Sequence, residues 1–163
     1  TYFSDGMGYH ADIVSNARLV NDSVPKFLAD KTIQLILKNK RDSEKIRVGI
    51  LGVTFKENVP DCRNTKVIDL ARALEAFGVA VHLFDPVCDR EEFEEEYHRK
   101  LTEWKDFPIC DAHIIAVNHQ EFSEKFSAQD LKNRLNETNI FIDLKGSFKK
   151  EELQSLGVHY WRP

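Results

Sequence analysis

Two basic side chains bracket a long polar loop that runs from Gly52 to Thr65. Lys56 and Arg63 supply positive charge, and a predicted helix begins near Thr65, where its first backbone N–H groups lack helical partners. Cations and a helix amino terminus together attract an anion. The loop therefore predicts a phosphate-binding site. The sequence leaves an alternative open, in which Arg63 only pairs with Asp61 and Lys56 is only solvated.

Further polar side chains follow other predicted strands and belong at the same edge of a parallel sheet. Lys145 could add a second basic contact, although a single lysine in a loop is usually only solvated. Asp85 could accept a ribose hydroxyl, as acidic residues do in dinucleotide-binding folds, or could simply form a turn with Pro86. Three residues flank the third predicted strand, and we assign them no role beyond lining a cleft: His113, Asn118 and His119.

The glycines and cysteines near the loop favour neither a dinucleotide fingerprint nor a metal site. Gly49 and Gly52 do not form Gly-x-Gly-x-x-Gly, so this turn is a poor candidate for holding a pyrophosphate. Cys62 is a weak candidate nucleophile, because neighbouring Arg63 could lower its pKa but the sequence places no base beside it. The odd number and wide spacing of the cysteines predict free thiols in a reducing compartment: Cys62, Cys88 and Cys110.

The elements that must position these residues alternate between strand and helix patterns. Short β-branched apolar runs predict strands near residues 46–53, 79–84, 112–117, 139–144 and 158–160. Apolar spacing of three and four predicts helices near residues 67–77, 128–135 and 149–156. The acidic segment 89–97 is predicted to be a solvated helix face rather than a site for a metal or a cationic partner. The alternation predicts an α/β fold, a Rossmann-like parallel sheet flanked by helices.

A helical segment precedes the sheet. Apolar spacing predicts a helix over residues 13–24. Asp22 and Ser23 then supply capping oxygens for a second helix, or the same helix kinked, from Pro25 to about residue 39. The apolar stripe of this second stretch is wider than one small sheet requires and could cover a subunit or domain interface. Residues 38–45 are predicted to be a linker. We therefore divide the chain into a helical segment, residues 1–44, and a Rossmann-like domain, residues 45–163.

Composition limits the remaining possibilities. The 163 residues are 42% hydrophobic and 31% charged, which is typical of one globular domain. A formal net charge of −4 without a basic run argues against a nucleic-acid partner. The sequence has neither an apolar stretch of about 20 residues nor a signal peptide at its start, so we expect no membrane association and a cytoplasmic location.

Residues 48–70 closely resemble the start of the UDP-binding domain of UDP-glucose/GDP-mannose dehydrogenases. Within that family they look most like the branch that oxidises UDP-N-acetylhexosamines for bacterial surface polysaccharides. The pair Phe55 and Lys56, the Asp-x-Arg ending at Arg63 and a later Asp-Pro at Asp85 all occur at family spacing. Residues 21–23 resemble the family's central helix, so the resemblance covers nearly the whole chain.

The resemblance implies roles for four residues. Phe55 and Lys56 would contact the UDP-sugar, and Arg63 would reach across the cleft to NAD. Lys145 would stand where many members have an arginine that binds substrate, although a lysine is a point charge without bidentate geometry. The family's central helices mediate dimerisation, so a homodimer or higher oligomer is implied. NAD would be bound mainly by an amino-terminal Rossmann domain.

Two departures from the family matter. The family's catalytic cysteine lies in a Gly-Gly-x-Cys-Phe motif upstream of the position that matches Thr1, and neither that motif nor the NAD fingerprint occurs in this sequence. Family members oxidise a sugar C6 alcohol to a carboxylate with two NAD. We therefore expect a fragment that has no catalytic residue and is inactive alone. A freestanding nucleotide-binding regulatory module and a structural dimerisation domain are the alternatives.

Overall fold

A five-stranded, all-parallel sheet forms the centre of the computed structural model, which describes residues 12–40 and 45–163. The strand order is β2-β1-β3-β4-β5, so the order reverses between β1 and β3. This confirms the predicted α/β fold. In such sheets ligands bind at the carboxyl ends of the strands, beside the point of reversal. The strands are β1 (Arg47–Leu51), β2 (Ala80–Phe84), β3 (Cys110–Ile115), β4 (Leu135–Asp143) and β5 (His159–Trp161).

Helices cover both faces of the sheet. Leu28 and Ile36 of α1 are buried with α2 against one face, while Phe122, Leu131 and Leu153 bury α4, α5 and α6 against the other. Burial of both faces explains why the strand sequences are nearly continuous apolar runs. The helices are α1 (Asp12–Asn39), α2 (Val67–Glu75), α3 (Arg90–Tyr97), α4 (Gln120–Lys125), α5 (Ala128–Lys132) and α6 (Lys150–Ser155), with a 3₁₀ turn at Trp104–Asp106.

A single helix, α1, replaces the two helices that Pro25 suggested. Pro25 is buried inside the helix. The predicted caps are wrong, because the Ser23 hydroxyl donates to the Val20 carbonyl within the helix and Asp22 instead accepts a hydrogen bond from Lys66. The prediction of a second helix is therefore wrong, and the alternative, in which the first helix continues through Pro25, is confirmed. Tertiary burial of the proline side has overridden the local preference for a break.

The end of α1 is anchored to the amino edge of the sheet. Lys40 Nζ lies 2.8 Å from Asp111 Oδ1, and the Arg47 N–H donates to Asp111 Oδ2 at 2.7 Å. Burial alone would raise the pKa of Asp111, but these hydrogen bonds hold it below its ordinary value. Of the predicted linker, residues 41–44 lie outside the described residues, whereas Lys40 is fixed by this buried ion pair.

Two further differences concern the second half of the sheet, and one prediction concerns the acidic helix. Helix α4 was not predicted, and β4 begins at Leu135 rather than at Asn139. Asn139 has a φ of 57°, and the pairing of β3 with β4 shifts register before it, so the strand is longer than its apolar run. The predicted solvated face of α3 is confirmed, because its glutamates are largely exposed and only Phe93 is buried.

Candidate functional site

A cleft of about 750 Å³ lies at the carboxyl ends of β1, β3 and β4, beside α1. Its volume is in the range of small-molecule sites. Three lysines and one glutamate line it, so its charged side chains are mainly positive. Residues from α1, from the loop after β1 and from the loop after β4 contribute side chains, among them Asn21, Thr54, Phe55, Lys56, Thr65 and Lys145.

The structure brings three of the four predicted site residues into this cleft. Phe55 is 67% exposed, which is unusual for a large apolar side chain in a polar loop. Lys56 is exposed and has no ion-pair partner within residues 12–40 and 45–163. Lys145 faces the same space, where its Nζ lies 3.6 Å from Glu57 Oε1. An exposed aromatic face in one cleft with two cations suits a planar base or sugar joined to a phosphate.

The fourth predicted residue, Arg63, lies in an adjoining pocket of about 330 Å³ that shares Phe55 with the cleft. Its Nε and Nη2 donate to the two carboxylate oxygens of Asp61 at 2.9 and 2.7 Å, and Glu92 lies 3.5 Å from Nε. The alternative pairing of Arg63 with Asp61 is therefore observed. Hydrogen bonds from Arg63 lower the pKa of Asp61 to about 2. The guanidinium is nevertheless largely exposed, and Asp61 fixes its orientation.

Asp85 forms a turn and is not available to a ligand. Its Oδ1 accepts hydrogen bonds from the Val87 and Cys88 N–H groups, each at 2.8 Å, and its Oδ2 accepts one from Val53 N–H at 2.6 Å. The side chain is almost fully buried. The turn alternative is therefore correct, and a ribose contact would require these bonds to break. Burial favours a higher pKa for Asp85, but hydrogen bonds from His119 and Val53 hold the pKa below its ordinary value.

Helix α2 brings a basic residue to the cleft that the sequence analysis missed. Lys66 immediately precedes α2 and lines the cleft, where its Nζ bonds to Asp22 of α1 at 2.7 Å and to Asp69 at 3.2 Å. Both hydrogen bonds raise the pKa of Lys66. The one sequence signal for Lys66 was its position next to the predicted start of a helix. Its ion pair with α1 could not be predicted without knowing how the two helices pack. The Thr65 hydroxyl accepts a hydrogen bond from the Val67 N–H, in the first turn of α2, at 3.3 Å.

Histidines near the end of β3 do not line the cleft. His119 is fully buried and hydrogen-bonds to Asp85 and to the backbone of Asn58. His113 is fully buried in the sheet, and its ring nitrogens have no hydrogen-bond partner among the described residues. Burial lowers the pKa of His113 to about 3, so its ring is neutral. The expectation that these residues line the cleft is wrong, and neither gave a sequence signal for its environment.

The turn after β1 does not fit a dinucleotide pyrophosphate. Gly52 has a φ of 84°, and a Cβ there would lie 2.2 Å from the Val117 carbonyl oxygen, so the turn packs directly against the loop after β3. Cys62 does not behave as a nucleophile either, because it is fully buried and burial raises its pKa. Within the described parts of the chain no cluster of metal-binding side chains occurs, and no helix has the length and hydropathy needed to cross a bilayer.

Comparison with known proteins agrees with this geometry. Residues 49–150 match the UDP-glucose/GDP-mannose dehydrogenase family, UDP binding domain. The chain is 34% identical over 145 residues to UDP-N-acetyl-D-glucosamine 6-dehydrogenase of Salmonella typhi, covering 89% of this chain and 34% of that protein. It is 31% identical over 162 residues to protein CapL of Staphylococcus aureus, covering 99% of this chain and 38% of that protein.

Solved structures show the same fold. The NDP-N-acetyl-D-galactosaminuronic acid dehydrogenase of Methanosarcina mazei superposes with a TM-score of 0.80 at 20% identity, covering 94% of this chain and 32% of that one. The chain thus spans about a third of the length of the relatives it matches. Because the family match includes the cleft loop and the strands that carry it, the chain belongs to the UDP-glucose/GDP-mannose dehydrogenase family, with residues 49–150 corresponding to its UDP-binding domain.

Proposed function

We propose that the cleft binds the UDP moiety of a UDP-sugar. The observation that carries this proposal is the convergence of Phe55, Lys56 and Lys145 in one cleft, although they come from two loops about 90 residues apart. Lys56 and Lys145 attract the diphosphate from two sides, and Lys66 beside the amino terminus of α2 adds to the positive field. Phe55 offers an apolar face for the uracil or the sugar.

Arg63 has a separate task in this proposal. It lies in the pocket that adjoins the cleft at Phe55, and Asp61 orients its guanidinium. An exposed, oriented guanidinium suits a phosphate of NAD held by another domain. NAD, when bound, accepts hydride from the sugar. The turn at Gly52 does not fit NAD, so this chain contributes Arg63 rather than a dinucleotide site.

For the whole protein we propose NAD-dependent oxidation of a UDP-hexose or UDP-N-acetylhexosamine at C6, in the cytoplasm, for bacterial surface polysaccharide synthesis. Named relatives include UDP-N-acetyl-D-glucosamine and UDP-N-acetyl-D-mannosamine dehydrogenases, which supports the N-acetylhexosamine branch. The 163 residues hold neither the Gly-Gly-x-Cys-Phe motif nor the NAD fingerprint. We therefore propose that this chain alone binds nucleotide without turning it over.

We further propose that α1 pairs with a second copy of the chain and that the domain boundary lies near residue 44. The first half of α1 carries exposed large apolar side chains, whereas its second half packs into the core. Exposed apolar residues at helical spacing are typical of a helix that packs against a partner. They are Ile13, Val14, Leu19, Val20, Val24 and Phe27.

The test is a nitrogen-15 NMR titration of the chain with UDP, with NAD as the comparator. We expect saturable shifts of the Phe55, Lys56 and Lys145 amides with UDP. Lys56→Ala removes a charged phosphate contact and is expected to weaken UDP about tenfold. Lys105→Ala is the matched control, because Lys105 is an exposed lysine outside the cleft.

Two other outcomes would favour the alternatives. If UDP bound without weakening by Lys56→Ala, the cleft would not be the site. If no nucleotide perturbed the cleft amides, even at several millimolar, a structural dimerisation domain would be favoured. The gene sequence distinguishes a freestanding regulatory module from a dehydrogenase. Coding sequence upstream of Thr1 would lack Gly-Gly-x-Cys-Phe in the regulatory module and contain it in the dehydrogenase.

A further inference from the structure

One buried histidine, His119, forms hydrogen bonds to the loop after β1, residues 52–65, which lines the cleft and is called the cleft loop below. His119 Nδ1 accepts a hydrogen bond from Asn58 N–H at 2.9 Å. Its Nε2 lies 3.1 Å from Thr54 Oγ1 and 2.9 Å from Asp85 Oδ2. The ring is fully buried, so solvent does not replace these bonds. Phe55 and Lys56 lie in the chain between the two loop residues that His119 bonds.

The contacts determine which ring nitrogen carries the proton. Because Asn58 N–H donates to Nδ1, Nδ1 is unprotonated, and Nε2 carries the proton that faces Asp85 and Thr54. The Thr54 hydroxyl in turn donates to the Lys56 carbonyl at 3.0 Å. A continuous chain of hydrogen bonds therefore runs from Asp85 through His119 and Thr54 to the backbone of Lys56.

Asn58 completes the attachment on the other side of the loop. Its φ of 60° is in the left-handed region, which asparagine tolerates better than most residues. Its side-chain Oδ1 accepts a hydrogen bond from the Gln120 N–H at 2.7 Å, at the start of α4. Residues 58 and 119–120 thus exchange two hydrogen bonds, which tie the cleft loop to the end of β3.

We propose that His119 is a positioning residue for nucleotide binding, which acts through Thr54 and Asn58 to hold Phe55 and Lys56 in the geometry that UDP requires. This inference rests on the proposed function of the cleft. When a loop is already ordered before ligand binds, less conformational entropy is lost on binding, and the affinity is higher. Loss of the histidine therefore weakens UDP although His119 does not line the cleft.

Three substitutions separate the two sides of the ring. His119→Ala removes the contacts on both sides of the ring, to Asn58, Thr54 and Asp85, and we expect UDP to bind about tenfold more weakly. His119→Asn retains an acceptor near the Nδ1 position, and His119→Gln retains a donor near the Nε2 position. Each is expected to recover part of the affinity, to within about threefold of the unmodified chain. His119→Leu refills the space without a donor or an acceptor, so recovery of affinity by the two amides but not by leucine is an outcome that a general loss of packing would not produce.

His113→Ala is the matched control. His113 is an equally buried histidine in the adjoining strand, but its ring nitrogens have no partner in the described parts of the chain. Its removal leaves a similar cavity and is expected to leave the UDP dissociation constant unchanged. Urea unfolding of each variant identifies those that are folded at the titration temperature.

The outcomes are distinguishable. If the unmodified chain does not bind UDP, the proposed function fails. If it binds UDP and His119→Ala binds equally well, the positioning role fails. Should His119→Ala not fold, His119→Asn and His119→Gln test the same attachment, because each loses the bonds on one side of the ring. UDP affinities of both amide variants equal to that of the unmodified chain would then overturn the inference.

Discussion

Glu57 is expected to compete with phosphate for Lys145. Its Oε1 lies 3.6 Å from Lys145 Nζ, and both side chains are a little under half exposed within the cleft. Two unit charges at that distance attract by about 1 kcal/mol at the dielectric constant of water, and exposed pairs measure about 0.2–1 kcal/mol. A diphosphate that engages Lys145 must weaken this pair and approach the carboxylate. Glu57→Gln removes both penalties, so we expect UDP to bind about two- to fivefold more tightly.

Calorimetric or NMR titration of Glu57→Gln with UDP measures this effect. The gain should shrink as salt is raised, because screening weakens exposed charge interactions. Glu94→Gln is the matched control, since Glu94 also pairs with a lysine, at 3.3 Å, but lies on α3 outside the cleft. Equal or weaker binding of UDP to Glu57→Gln would refute the reasoning, and would mean that Glu57 holds Lys145 in a useful position.

Two other predictions concern stability and assembly. His113→Leu is expected to raise the free energy of unfolding by about 1 kcal/mol, because two unpartnered polar atoms leave the core. The gain should grow as pH falls from about 6.5 towards 3, where the unfolded chain binds a proton that folded His113 excludes; urea unfolding at several pH values measures both. Leu19→Lys on α1 is expected to lower the sedimentation mass at concentrations where the chain self-associates, whereas Phe77→Lys, also exposed but outside α1, should not.

The fold could be predicted largely because burial on both faces leaves a strong signal. Most strands contain a short apolar run, and each crossover returns the chain to a parallel neighbour, so the alternation limits the topology. The errors occur where tertiary contacts override local preference. Pro25 lies inside a helix because that side of α1 is buried, and β4 extends past its apolar run because pairing with β3 resumes beyond the irregularity at Asn139.

The candidate site could be predicted in part, through charged and aromatic residues in the loops that follow the predicted strands. Phe55, Lys56 and Lys145 follow strands, and the carboxyl ends of parallel strands share one edge. Lys66 was missed because its contribution depends on how α2 approaches α1. His119 was missed because its role depends on partners more than 30 residues away in sequence, and nothing local distinguishes it from a solvated histidine.

Two buried aspartates lie close to the mainly positive surface of the cleft. Their hydrogen bonds explain why these carboxylates do not cancel its attraction for an anion. Asp85 after β2 and Asp143 at the end of β4 are both almost fully buried, and each accepts several hydrogen bonds. Asp143 receives the N–H groups of Lys145, Gly146 and Phe148. Backbone donors compensate these charges where they lie, so the carboxylates shape the loops without repelling an anion above them. Replacing Lys145 by arginine would therefore change the exposed cation and leave the anchoring of its backbone by Asp143 in place.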